Sequence, residues 1–155
     1  VQTFLPYECF EKSAQVLDDK RLGKQRSESI IILKTLLGVY EREGRKGWPH
    51  HPATKMWAGH EIALCDYSID IALEWKRRGY KDATLEWFED CRGDLVVQNC
   101  FLHGKPIRSM PVWAGNSKFH DSHRSNLLRK MPEHYRQYWP KLRDDLPYVW
   151  PKGNT

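Results

Sequence analysis

Cysteine is scarce in this chain, and its four copies keep apart. They stand at 9, 65, 91 and 100, with no pair at CxxC spacing. That spacing argues against a zinc site or a disulfide framework and for reduced thiols. Long hydrophobic runs are missing too, and no apolar stretch approaches the length of a membrane span. With no signal peptide read at its start, the chain is expected to be soluble and cytoplasmic, with no membrane partner. Glycine-rich phosphate loops, GxSxG elbows and dinucleotide fingerprints are all absent. Histidine is present, but not in metal-binding order. His50 and His51 are adjacent and cannot both face one ion from a helix, and HxxxH and HExxH do not occur. His120 and His123 stand at i, i+3 without a carboxylate or thiol at a useful distance. Neither a metal nor a cofactor is expected.

Tryptophan, by contrast, is plentiful. Seven copies in 155 residues exceed what packing a domain of this size requires. Lysine and arginine outnumber the acids 25 to 20, for a net charge of +5 and a pI near 9.0. That excess is modest, so its meaning depends on clustering. The length suits one domain over residues 1–155 that closes a core without disulfides or metal, expected as a monomer.

Helical periodicity dominates. The stretch from Asp18 to about Tyr40 carries charges in its first half and Ile30, Leu33, Leu36 and Leu37 at helical spacing in its second. "EGRKGWPHHP" reads as a loop by its glycines and prolines. A second long helix is expected from about Ala53 to Arg78, stopped by Gly79, with Arg77 and Arg78 complementing its dipole. A shorter one covers Thr84 to Cys91. Residues Leu95 to Trp113 read as irregular, with a brief β-like "LVVQNC". Helices follow over Ser117–Lys130 and Pro132–Trp139, and then an irregular tail. The fold class is mostly α: a compact single-domain helical bundle with long irregular loops and an irregular C-terminal segment.

Cations gather in three places. Lys20, Arg21, Lys24 and Arg26 open the first long helix. "FHDSHRSNLLRK" brings His120, His123, Arg124 and Lys130 around a helix start. "HYRQYWPK" alternates rings and cations, with Tyr135, Tyr138 and Trp139 beside Arg136 and Lys141. A core would exclude those cations, and a solvated face has little use for the rings. A surface that stacks on bases while neutralising phosphates uses both. Each group alone is more often a solvated face, but three in one small domain favour double-stranded DNA as the partner. Among the acids, Asp18 and Asp19 sit where a cap is wanted. Glu61 lies inside the apolar "MWAGHEIALC", so it is either ion-paired or poised for acid–base work.

Four stretches resemble the pyrimidine-dimer DNA glycosylase, or endonuclease V, family of phages and bacteria. "AGH" at 58–60, on the helix ending in "KRRGYKDAT", is similar to that family's pairing of the same tripeptide with a KRGF-type helix end. "HHPATKMW" resembles the HP-containing lead-in of bacterial relatives. "MPEHYRQYWPK" resembles the family's C-terminal proline and aromatic–basic cluster. "VQTFLP" and "KRLGKQR" take the places of its catalytic N-terminus and first DNA-facing helix.

The resemblance implies a DNA glycosylase in which the α-amine of residue 1 attacks C1′ of the target nucleotide. A Schiff base forms, and an AP-lyase β-elimination can follow. An α-amine suits the task, because its reference pKa near 8 leaves a useful neutral fraction at physiological pH. That amine would be Val1's. An initiator Met before a small valine is removable, whereas an alternative start codon would make the native first residue Met. Arg21 matches the family arginine, but Leu22 stands where the family has glutamate, so Asp18, Glu28 or Glu61 must supply the carboxylate. The expected catalytic set is Val1, Arg21, Glu61 and Asp18. The expected DNA-facing set is Lys20, Lys24, Arg26, His51, His60, His120, His123, Arg124, Tyr135, Arg136, Tyr138, Trp139 and Lys141. Two other readings keep the scaffold. One is a glycosylase for bulky modified phage bases, such as glucosylated hydroxymethylcytosine, in anti-phage defence. The other is a binder of distorted duplex without chemistry.

Overall fold

Asp18 and Asn116 begin two of the main helices by the same chemistry. A side-chain oxygen of each accepts an N–H of the first turn, from Arg21 at 3.3 Å and from Phe119 at 3.2 Å, meeting donors that have no partner within the helix. In the computed structural model, which describes residues 1–104 and 110–151, the described residues form eight helices and no strand. They are α1 (Phe10–Val16), α2 (Asp19–Leu36), α3 (Val39–Arg42), α4 (Pro52–Lys55), α5 (Glu61–Arg77), α6 (Leu85–His103), α7 (Ser117–Lys130) and α8 (Pro132–Tyr135). α5 is the central element and packs against α1, α2 and α6. Its buried Leu64, Tyr67 and Ile71 join Leu22 and Leu33 of α2, Phe88 of α6 and Leu127 of α7 in one hydrophobic cluster.

Several expected boundaries move, each for a local reason. The helix expected over 18–40 stops at Leu36, and Gly38 at φ +68° turns the chain into α3. The helix expected over 53–78 is broken between α4 and α5, where Gly59 takes φ +82°. Only glycine adopts that conformation without strain. The short α1 is not evident from the sequence pattern, and α8 ends a turn earlier than expected.

The largest revision is α6. "LVVQNC" is helical, not irregular or β-like. Phe88, Cys91 and Leu95 are three and four residues apart and all meet the core, so burial along one helical face overrides the β preference of the two valines. Of the irregular stretch expected over 95–113, positions 105–109 lie outside the described residues.

Candidate active site and DNA interface

Residues 1–7 form no helix and pair with no strand, yet Thr3 to Pro6 are buried. Buried backbone must find partners, and side chains supply them. Gln25 Oε1 accepts the Phe4 N–H at 2.9 Å, and the Tyr67 hydroxyl donates to the Phe4 carbonyl at 2.8 Å. His123 Nδ1 accepts the Leu5 N–H at 2.9 Å, while His120 Nδ1 lies 2.8 Å from the Leu5 carbonyl. Arg124 Nε donates to the Pro6 carbonyl at 2.7 Å, and the Trp57 indole donates to Thr3 Oγ1 at 3.0 Å. Three helices, α2, α5 and α7, and the turn between α4 and α5 therefore hold the N-terminal segment as an internal strut, and its position decides where the first residue emerges.

It emerges in a cleft of about 450 Å³. The Val1 nitrogen lies 3.8 Å from Glu28 Oε2, and Lys24 Nζ lies 3.6 Å from the other oxygen. Arg21, Gln25 and Glu28 recur along one face of α2, which brings cation, strut anchor and carboxylate to the same wall. Lys20 and Lys130 line the cleft without a carboxylate partner among the described residues. His51 closes another side, its Nδ1 capping α4 through the Ala53 N–H at 3.1 Å. Burial holds the His51 pKa below the usual imidazole range. The charged Val1 amine pushes the same way, and Glu28 pulls it back. Tyr148 and Trp150, from the C-terminal tail, complete the lining.

Residues 1–87 match the family described as pyrimidine dimer DNA glycosylase. The chain belongs to this family. Among curated proteins and solved structures, no match was found. Membership makes the protein a DNA glycosylase and DNA its partner. The match takes in the N-terminal strut, α2 and His51, but stops at the start of α6, so Lys130, Tyr148 and Trp150 lie beyond it. Among the described residues, no helix is long and apolar enough to cross a membrane.

The glycosylase's remaining candidate residues are not all where the sequence suggests. Glu61 is not on an apolar face: it stands in the first turn of α5, accepts the Gly59 N–H at 3.0 Å, and borders a separate depression with His60, Asn99 and His103. Asp18 does not line the Val1 cleft. It caps α2, and its Oδ1 accepts from the Tyr135 hydroxyl and from Arg21. Burial pushes the Asp18 pKa up, but hydrogen bonds from Tyr135 and Arg21 hold it below the usual carboxylate range. A carboxylate so occupied is a helix cap, not a free base.

His120 and His123 are buried, which removes them from any phosphate. Burial, and to a lesser degree the neighbouring His120, lowers the His123 pKa to about 3, so this ring is neutral. Arg124 is occupied by Pro6 and Asp121, and Arg26 by Asp82 at 2.6 Å beneath the Trp75 ring.

The aromatic–basic cluster is mostly structural. Tyr135 is fully buried and stacks on the nearly buried Trp139, whose indole donates to the Tyr7 hydroxyl at 3.0 Å. Arg136 ties down the carbonyl of Leu142 at 2.7 Å. Tyr138 and Lys141 alone in that stretch of rings and cations stay open to solvent. The sequence reading overlooks Gln25 and Tyr67, which fix the strut, and Tyr148 and Trp150, which line the cleft. A weak signal for the last two is the pair of rings set between prolines in "PYVWP".

Proposed function

We propose that the glycosylase attacks C1′ of its target nucleotide with the α-amine of Val1, and that Glu28 is the carboxylate serving that amine. The attack requires a free α-amine on residue 1. The amine's lone pair forms the new C1′–N bond as the N-glycosidic bond breaks, and the base takes the electron pair of the broken bond and a proton, staying joined to its neighbour through the dimer. Opening of the sugar ring gives an iminium. Loss of a 2′ proton then expels the 3′ phosphate, which is the AP-lyase step. Glu28 takes a proton from the Val1 ammonium, which frees the lone pair for attack, and then faces the positive charge of the iminium. Lys20 and Lys130 hold the flanking phosphates, Arg21 stays paired with Asp18 at the cleft wall, and His51 limits water around the amine.

The observation that carries this reading is the 3.8 Å approach of the Val1 nitrogen to Glu28 inside a cation-lined cleft. An amine ion-paired with its carboxylate at 3.8 Å, at the end of a fixed strut, loses little freedom on reaction. The test is borohydride trapping on a duplex carrying a thymine dimer. The native protein should form a covalent adduct. Acetylation of Val1, or a retained N-terminal tag, should abolish the adduct while duplex binding persists. Full trapping by the blocked protein would overturn the proposal and shift the nucleophile to a lysine such as Lys20 or Lys24.

A further inference from the structure

Two of the four cysteines, far apart in sequence, meet in the fold. Cys65 lies in the core on α5, and Cys91 packs against that core from α6. Their neighbours along the chain hold the same register, because Arg92 Nε donates to Asp66 Oδ1 at 2.6 Å across the two helices. Phe88, one turn before Cys91, is fully buried and keeps α6 on the core. The Cys65 S–H donates to the Cys91 sulfur. Neither thiol lines the Val1 cleft, and no step of the reaction there uses them.

The two sulfurs differ in a way that suits sequential chemistry. Cys91 is half-buried, so a small oxidant reaches it, whereas Cys65 is fully enclosed. The hydrogen bond from Cys65 holds the Cys91 thiol below its usual range, against the burial that opposes it. The same bond, together with burial, pushes the Cys65 thiol up. Thiolate character and access at one sulfur, beside a protected second one, is the arrangement of a peroxide-sensing pair. Bond formation draws the sulfurs from contact to about 2.05 Å. Gly93 softens α6 just past Cys91: it is exposed, and a Cβ on it would meet nothing within 4 Å.

We propose that Cys65 and Cys91 form a redox-active dithiol that a peroxide converts into a disulfide, locking α6 onto α5 until a thiol reductant reopens it. The Cys91 thiolate attacks one oxygen of hydrogen peroxide. The O–O bond breaks, Cys91 becomes a sulfenic acid, and the departing hydroxide takes up the proton that Cys91 had lost. The Cys65 sulfur then attacks the Cys91 sulfur. The S–S bond forms as the S–O bond breaks, and the second hydroxide leaves with the Cys65 proton as water. Two thiols are thus oxidised to one disulfide while one peroxide is reduced to two waters. The bridge closes a loop through the turn between the two helices, which restrains the unfolded chain.

The test uses the full chain with Cys9→Ser and Cys100→Ser, both exposed positions, so that only this pair responds. A stoichiometric amount of hydrogen peroxide should remove two hydrogens from the intact mass and block alkylation of both thiols in denaturant. It should also join the peptides that carry Cys65 and Cys91, and dithiothreitol should separate them again. The bridged protein should unfold at a higher urea concentration than the reduced one. In this background Cys65→Ser should stop at a sulfenic acid on Cys91, which dimedone labels. Cys91→Ser should leave Cys65 to oxidise at least roughly tenfold more slowly than Cys91 does. Should either serine variant misfold, the mass and peptide map of the dithiol protein decide. Two alkylatable thiols after peroxide, a dimedone adduct in place of the bridge, or a bridge that dithiothreitol does not reopen would each overturn the proposal. So would an unchanged or lower urea midpoint, or equal oxidation rates for the two single thiols.

Discussion

Glu28 and Glu61 are both glutamates on long helices, and their surroundings separate them. Glu28 meets the Val1 amine and Lys24 in the cleft, whereas Glu61 folds back on the Gly59 N–H in a different depression. Glu28→Gln keeps the shape of the side chain and removes its charge. Base release should fall by about 10²- to 10⁴-fold, the range for loss of a general acid or base, with duplex binding intact. Glu61→Gln should leave base release within about twofold, since it only weakens a local cap of modest worth. Single-turnover cleavage of the N-glycosidic bond, read as alkali-labile strand breaks at the dimer, measures both, and the reverse ranking would return Glu61 to the active site.

His123 gives the residue scale a pH signature. Its folded pKa is near 3, against 6.5 for a free imidazole, chiefly because the ring is buried. The unfolded chain therefore takes up a proton below about pH 6.5 that the folded chain refuses. Stability is intact above that value and falls with pH down to about 3, by roughly 1.4 kcal/mol per unit at most. Asp18 is depressed in the opposite chemical class, so its contribution is present above its ordinary value and fades only below about pH 4. Between pH 4 and 6.5 the histidine dominates. His123→Asn, whose amide oxygen can still accept the Leu5 N–H, should lose about one proton of uptake on unfolding at pH 5. Denaturant melts across that window check this. The misreading of His120 and His123 has a plain cause: a histidine that satisfies buried backbone and one that contacts phosphate look identical in sequence.

At the scale of elements, periodicity was legible and context was not. α7 lies where the pattern places it, and α2 starts at its expected aspartate because capping is local chemistry. α6 is only half legible, since "LVVQNC" favours a strand until α5 offers it a face to bury against. The N-terminal strut is legible only through the family resemblance, because its partners come from residues 21 to 118 positions away. The crossing of α2 and α5 turns on one small residue. A Cβ on Gly23 would stand 2.9 Å from two ring carbons of Trp75, which is itself stacked on Tyr80 and covered by Arg26. Gly23→Ala gains helix propensity of just under about 1 kcal/mol but must displace that ring. Overpacking of this kind costs about 1–3 kcal/mol, so a net loss of stability is expected in thermal melts. A net gain would show that Trp75 shifts freely.

For the whole molecule, what matters is which cations remain available once the fold has used the others. Arg26, Arg78 and Arg124 are engaged with Asp82, Asp19 and Asp121, so the basic composition overstates the interface. Lys20 and Lys130 are different. They line the Val1 cleft and also a neighbouring depression where Asp18 and Asp19 are paired with Arg21 and Arg78, so among the described residues the two lysines are the unpaired cations of a track past the start of α2. Each phosphate met by such a lysine releases counterions and contributes about 0.9 to the slope of log affinity against log salt. Lys20→Ala combined with Lys130→Ala should therefore reduce the slope on duplex DNA by about 1.8 and weaken binding to damaged and undamaged sequences alike. Arg136→Ala is the control. Its guanidinium ties the Leu142 carbonyl and approaches Asp144, so its loss should lower the melting temperature and leave the slope unchanged. If the slope instead falls with Arg136→Ala and not with the double lysine variant, DNA follows the C-terminal turn, away from the track that leads to Val1.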